Sequence, residues 1–515
     1  MKKKMKTKKE DIILKLFMIF LIMQPILDIY LLYTKKVIDF IGFSPATIIR
    51  ILFVTILFMI TFSKLKYKKH CYWLFGYAGV ILLYTVLHIY SGITFNADIP
   101  KRYYFSVADE LFYIVRMMIP FAIAFITYYQ KITFEHLKKI IISSVYILSL
   151  IIIVSNIFKF SLTSYPSDTK FIQANIFEWF LGAFSKYPFE GLASKGLFNM
   201  ANSTSALMLI LLPITIYFTI KENSKVNFAA LICQIIAMIM LGTRVASYGW
   251  AMVFIVIFII YLFFCFIKKE YKFELNKTIV LSIIFLVFIG ITFMSPIRKS
   301  RYYIEDFVEK EKNESSEKIV KERENEIENL NKIKNKEKAL EYIKNNYNVY
   351  NLRRDYVFEL YSYKEDYTFW LDVMRLNPEK RIGNRNMQKL VTARIIEKSN
   401  RGIDKYLGVG FSRMRSGEVY IENDFLAQYY TIGLLGIMVL MGYYLVAFVL
   451  CGYNVIKNYN SKFRFQNVIL LASVFLMFGT AVLTGHVMDE LIVTIYAGFI
   501  LGVLLRNIYI EDKKL

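Results

Sequence analysis

Glu422, Asn423 and Asp424 set a carboxylate, an amide and a second carboxylate side by side where a long polar stretch returns to apolar sequence. A carboxylate there suits proton abstraction from an attacking hydroxyl, and polar groups entering an apolar segment are costly unless they are used. Gly433 and Gly436, three apart, permit close approach of neighbouring helices. Arginine supplies the complementary chemistry, because its planar fork grips phosphate oxygens bidentately and keeps its charge when partly desolvated. Arg50 and Arg116, with Asp28, lie inside apolar segments, where each charge costs about 2.5 to 3.5 kcal/mol at bilayer centre. Two accounts of them stand: an Asp28 to arginine pairing that fixes packing, or a cationic pocket for a lipid-linked phosphate.

These residues need helices to hold them. With 56% apolar and 17% aromatic residues and a mean hydropathy of +0.42 over 515 residues, the chain cannot be one soluble core. It reads as an all-α polytopic membrane protein with about twelve spans, near 13–33, 44–63, 71–90, 109–129, 140–159, 204–220, 228–243, 247–267, 278–295, 424–450, 467–485 and 490–507. The boundaries expected are residues 1–295 with nine spans, 296–421 as a large, mainly helical extracytoplasmic loop domain, and 422–515 with three spans and a cytoplasmic tail. The first span is long and lacks a small-residue cleavage site, so it reads as an anchor. The first residues, every second short loop and the tail hold about 25 basic residues against about 8 in the alternate loops, which places both termini in the cytoplasm. The net charge of +23 is thereby explained by topology and anionic lipid, and nucleic acid is not an expected partner. Cys71, Cys233, Cys265 and Cys451 form no CxxC pair and support neither disulfides nor a metal site.

The loop domain opens with a charged run from Glu305 to Lys344 in which Ile319, Ile327, Leu330, Ile333, Leu340 and Ile343 make an irregular helical stripe. It reads as a solvated helix, with a partner-binding arm as the sharper alternative. The earlier loop 161–203 carries Trp179, Phe180 and Phe184 and is expected along the membrane interface.

Three patterns follow in order: Gly242-Thr243-Arg244 at a tight turn between spans, Thr392-Ala393-Arg394 ahead of Gly408-Val409-Gly410-Phe411, and Asn423 followed after nine residues by Gly433-x-x-Gly436. In these patterns and in its long loop between spans nine and ten, the chain resembles the O-antigen ligase and O-antigen polymerase superfamily. Two departures stand out, Thr243 for serine and Glu422 for the histidine of a His-Asn pair.

The resemblance implies a metal-independent glycosyltransferase without cofactor that takes an undecaprenyl-pyrophosphate-linked glycan donor and passes it to a glycan or lipid-linked glycan acceptor. Arg244 and Arg394 would hold the pyrophosphate, where fixed guanidinium groups stabilise charge growing on the leaving oxygen. Glu422 would be the general base, with Asp424 in reserve; an N-terminal cap or an ion pair with Arg394 or Arg413 is the plainer role. Arg50, Arg116, Asn423, Asp424, Arg413 and His486 complete the expected contacts, Arg413 as a surface or glycan contact. His486, beside Asp489 and Glu490, reads equally as a hydrogen-bonded turn residue, and no ligand spacing supports metal. Polymerisation of repeat units is the first expectation and ligation to another acceptor the second. A transporter, the rival class, should show internal repeats and broken helices with midplane charges.

Overall fold

The computed structural model describes residues 2–34, 36–38, 44–65, 68–165, 170–299, 321–322, 324–325, 327–329, 336–419 and 421–509. It is 76% helical, and no strand occurs among the described residues. Ten described helices are long and apolar enough to cross a bilayer. They are α2 (Pro45–Phe62), α3 (Lys68–Ile93), α4 (Val107–Tyr129), α5 (Phe134–Ile157), α6 (Ala201–Lys221), α8 (Arg244–Phe266), α9 (Leu275–Phe293), α13 (Asp424–Lys457), α14 (Phe465–Leu483) and α15 (Leu491–Tyr509). The two other expected spans differ for physical reasons. Helix α7 (Lys225–Leu241) is apolar but only 17 residues long. Helix α1 (Lys2–Ile22) stops short of residue 33, because the chain unwinds at Gln24-Pro25 into two short 3-10 turns, Ile26–Asp28 and Tyr30–Tyr33. Proline lacks the amide proton a continuing helix requires.

The chain forms two compact units. The first comprises Met1–Tyr72, Val115–Ser300 and Tyr443–Leu515. At its centre α6 is buried along its length, wrapped by α5, α7, α8, α14 and α15. Small residues set the close approaches: a Cβ on Gly498 would lie 2.4 Å from the Pro120 carbonyl, and one on Gly502 would lie 2.6 Å from that of Ala124.

The second unit comprises Trp73–Ile114 and Arg301–Gly442. Its core gathers Ile343, Tyr356, Trp370, Val391, Ile395 and Met414 from α10 (Lys336–Asn346), α11 (Tyr367–Arg375), α12 (Asn384–Ser399) and the segments between and after them. Ile327 and Ile343 of the charged run are buried in this core and Leu340 packs on it, so those positions are not a merely solvated face; Ile319, Leu330 and Ile333 lie outside the described residues.

Candidate functional site

In the first unit, the unwound stretch after α1 is held by Arg50 of α2. Its Nε donates to Gln24 Oε1 at 2.8 Å, Nη2 to the Gln24 carbonyl at 3.2 Å and Nη1 to the Tyr33 hydroxyl at 2.7 Å, while Asp28 Oδ1 lies 3.8 Å from Nη2. Irregular backbone at membrane depth persists only where such partners satisfy it. Arg50 and Asp28 are therefore paired, as the plainer of the two sequence accounts has it. Arg116 donates through Nη2 to the Asp489 carbonyl at 2.7 Å. The charges of Arg116, Asp489, His486 and Arg50 all act on Glu490, which joins these groups into one cluster. His486 itself takes a left-handed φ of 64° in the bend between α14 and α15. Three buried atoms of the cluster, Asp28 Oδ2, Arg116 Nε and Asp489 Oδ1, have no hydrogen-bond partner among the described residues.

Arg244 stands at a two-residue turn. Gly242 ends α7 at φ 63°, where a Cβ would meet Ala193 at 2.7 Å. Thr243 then caps α8 by accepting from the Ala246 amide at 3.2 Å, and its hydroxyl shares a 2.7 Å hydrogen bond with Ser205. Threonine thus performs the capping expected of serine at this position. The segment 161–200 is bonded both here, Ser194 N to Met240 O at 2.8 Å and Ser164 Oγ to Leu241 O at 2.7 Å, and at the unwound stretch, Asn199 N to Asp28 O at 3.0 Å. Arg244 is exposed and makes no hydrogen bond or ion pair among the described residues.

In the second unit the two glycine patterns turn out to be one structure. Gly433, at φ 71° and ψ 176°, interrupts α13, and the carbonyls of the preceding turn lose their helical donors. The loop replaces them: Val409 N donates to Tyr430 O at 2.8 Å and Gly410 N to Thr431 O at 3.0 Å, while the Tyr84 hydroxyl donates to Ile432 O at 2.7 Å. A Cβ on Gly408 would lie 2.2 Å from the Thr431 carbonyl, and one on Gly433 2.3 Å from that of Tyr406. Gly433 thus admits loop backbone rather than a neighbouring helix. Phe411 stacks on Tyr113 at 3.9 Å, and Tyr113 exchanges hydrogen bonds with Gln428.

At the head of α13 the cap is Asn423, whose Oδ1 accepts from the Leu426 amide at 3.1 Å. Asp424 is buried behind it. Glu422, half-buried, accepts from Arg385 Nε at 2.9 Å and Asn384 Nδ2 at 3.3 Å. Its ion-pair partner is thus Arg385, not Arg394 or Arg413. Arg394 uses all three guanidinium nitrogens on other groups: Asp366 at 2.9 and 3.2 Å, Glu397 at 2.9 Å and the Thr368 hydroxyl at 3.1 Å. Burial opposes ionisation of Asp366, but Arg394, Lys398 and Thr368 outweigh it and hold the carboxyl well below the usual range.

Arg413, expected at the surface, is buried. It lies 3.8 Å over the Phe95 ring and donates to the carbonyls of Val409 and Gly92 at 2.6 and 3.1 Å; burial pulls its pKa down to about 10, against the charges of Glu110 and Asp404.

Sequence reasoning missed His88 and Glu110. His88 Nδ1 lies 2.6 Å from the Leu407 carbonyl and Nε2 3.1 Å from Glu110 Oε2, while Glu110 Oε1 accepts from the Ser412 amide at 2.6 Å and its hydroxyl at 2.7 Å. A lone histidine in an apolar span and an acid in a first helical turn carry little signal singly. No group of three or more histidine, cysteine or acidic residues suited to a metal occurs among the described residues.

The model of the family described as O-antigen ligase like membrane protein matches residues 10–511, nearly the whole chain. No curated protein and no solved structure matches it.

Proposed function

We propose that this chain, which belongs to the O-antigen ligase-like membrane proteins, polymerises undecaprenyl-pyrophosphate-linked oligosaccharide repeat units at the outer leaflet of the cell membrane. The observation that carries the reading is Arg244. A guanidinium at a helix N-terminus is repelled by the helix dipole, and here no carboxylate among the described residues offsets that. An anion bound there meets both the fork and the amides at the start of α8 that Thr243 does not cap, the arrangement that favours phosphate.

In the reaction so read, the acceptor hydroxyl oxygen attacks the anomeric carbon, and the bond from that carbon to the pyrophosphate oxygen breaks. The leaving group departs with the electron pair, its charge met by Arg244. The hydroxyl proton passes to Glu422, a carboxylate that Arg385 holds near the mouth of α13. Asp424 is the second acceptor for the proton, and Asn423 orders the helix head that presents both. Arg394 enters as the further arginine of the family pattern; a pyrophosphate bound to it would displace Asp366 or Glu397. Arg116 and His486 add charge and hydrogen bonds around the lipid-linked end of the donor, Arg50, whose nitrogens are taken by the unwound stretch, adds charge there, and Arg413 fixes the loop beside the glycan.

The loop basic residues support cytoplasmic termini and an outward loop domain. Broken helices, which a transporter would also show, have local explanations here: Arg50 fills the break at Gln24, and loop backbone fills the break at Gly433.

Purified protein supplied with lipid-linked repeat units, with and without a separate acceptor, tests the proposal. A ladder of lengthening products without added acceptor supports polymerisation. A single transfer that requires the acceptor assigns ligation, and no transfer in either case overturns the reading.

A further inference from the structure

We propose that His88 and Glu110 form a proton-sharing staple that positions the Gly408–Phe411 turn, and through it the head of α13 where Glu422, Asn423 and Asp424 sit; this rests on the reading of that head as the place of proton transfer. The two side chains grip the two ends of the turn. His88 bonds the carbonyl of Leu407, immediately before Gly408, and Glu110 bonds the amide and hydroxyl of Ser412, immediately after Phe411. Between these anchors, the amides of Val409 and Gly410 are the donors that hold the carbonyls of Tyr430 and Thr431 at the Gly433 break. The nine residues from Asp424 to Ile432 are thus bracketed by Asn423 at one end and by the stapled turn at the other.

The protonation follows from geometry. Nδ1 faces a carbonyl, which only accepts, so Nδ1 carries hydrogen. Nε2 faces a carboxylate oxygen, so one further proton must lie between the two atoms; without it a lone pair would oppose an anion at 3.1 Å. All three side chains are almost wholly buried, at 1% exposure for His88, 0% for Glu110 and 2% for Ser412, so water does not substitute for a lost partner. Tyr84, one helical turn before His88, stacks on its ring at 5.5 Å while bonding Ile432, so the same helix supports both sides of the junction. None of these groups needs to touch substrate. They are positioning residues.

A glutamine at position 110 can keep every bond. Its oxygen accepts from Ser412, its amide donates to Nε2 of a neutral imidazole, and Nδ1 still donates to Leu407. Alanine at 88 or 110 cannot.

The test uses full-length protein in lipid nanodiscs, with hydrogen exchange of the 405–433 peptides and transfer kinetics on each variant. For His88→Ala and Glu110→Ala, exchange at 408–412 and 430–433 should quicken. The kcat should fall about 10²-fold with donor KM little changed, the size expected of a misplacement of about 1 Å. Glu110→Gln should recover most of the turnover lost in Glu110→Ala, and Glu110→Met, which fills a similar volume without the bonds, should not, a split that a mere packing role would not predict. If the alanine variants do not fold, Ser412→Ala, which removes one bond to Glu110, should still quicken exchange at 408–412. Unchanged exchange in any of these alanine variants, unchanged kcat despite faster exchange, or a Glu110→Gln as impaired as Glu110→Ala overturns the staple. The exchange readout needs no turnover, so a wild-type protein that transfers no glycan overturns only the functional reading.

Discussion

The Gly410 amide donates to the Thr431 carbonyl across 3.0 Å, a bond that becomes available only because Gly433 breaks the helix two residues later. Two motifs far apart in sequence are thereby halves of one backbone junction. Gly433→Ala should lower the melting temperature of the detergent-solubilised protein by several degrees. A left-handed residue with a Cβ 2.3 Å from a carbonyl is strained by about 1 to 3 kcal/mol even if its neighbours relax. Gly436→Ala should be milder, since its Cβ meets the Tyr84 hydroxyl and side-chain atoms rather than fixed backbone. Equal melting temperatures for wild type and Gly433→Ala would show that the break is not under constraint.

Arg244→Ala should abolish transfer while leaving abundance and melting temperature near wild type, because this side chain is exposed and contributes no hydrogen bond or ion pair to the fold among the described residues. Arg244→Lys should stay poor, as a point charge replaces a bidentate fork. The assay is turnover of lipid-linked donor beside a quantitative blot. Full activity in the lysine variant would sink the assignment of the pyrophosphate to this turn.

Glu422→Gln should lose about 10² to 10⁴ in rate with donor binding largely retained, the usual weight of a general base. Glu422→His should retain more activity than Glu422→Gln, since imidazole restores a proton acceptor. Turnover near wild type in Glu422→Gln would move the search to Asp424 and His486, or indicate that departure of the pyrophosphate needs no base.

Asp366→Asn should destabilise the second unit by about 2 kcal/mol at neutral pH, the scale of a charged hydrogen bond. The folded carboxyl is held below its ordinary value, so its contribution is complete above that value, near pH 4, and is lost only as the pH falls below it. In thermal unfolding of the two proteins from pH 7 down to pH 3, the gap should therefore hold constant to about pH 4 and begin to narrow only below it. A gap independent of pH would mean that charge is not what Asp366 supplies.

The topology has a direct check in intact cells. In a background without native cysteines, Lys364→Cys should react with an impermeant reagent added from outside, and Ser461→Cys should react only after permeabilisation. The opposite pattern would invert the orientation read from the loop charges.

The spans were legible because apolar length is a local property: α6, expected over 204–220, runs Ala201–Lys221, and α15, expected over 490–507, runs Leu491–Tyr509. The break after Ile22 was not, since the stretch to Tyr33 is as apolar as a helix and its stabiliser, Arg50, arrives from the next span. Arg394 was visible through its motif, but Asp366, 28 positions earlier, carries no pattern that announces the pair. Glu422 was conspicuous as a departure from a motif, yet its partner Arg385 is one of many basic residues in a basic chain. His88 escaped notice because its meaning lies in Leu407 and Glu110, contacts that exist only once the chain has folded.

The unwound stretch after α1 also bears on the order in which the chain can settle. Asp28 and the freed Gln24 carbonyl find their partner on α2. The opening segment alone would leave an acid and an open backbone group facing lipid tails, at a cost of several kcal/mol. The stretch from Gln24 to Asp28 is accordingly satisfied only once α2 lies beside it, so its conformation depends on residues that are synthesised after it.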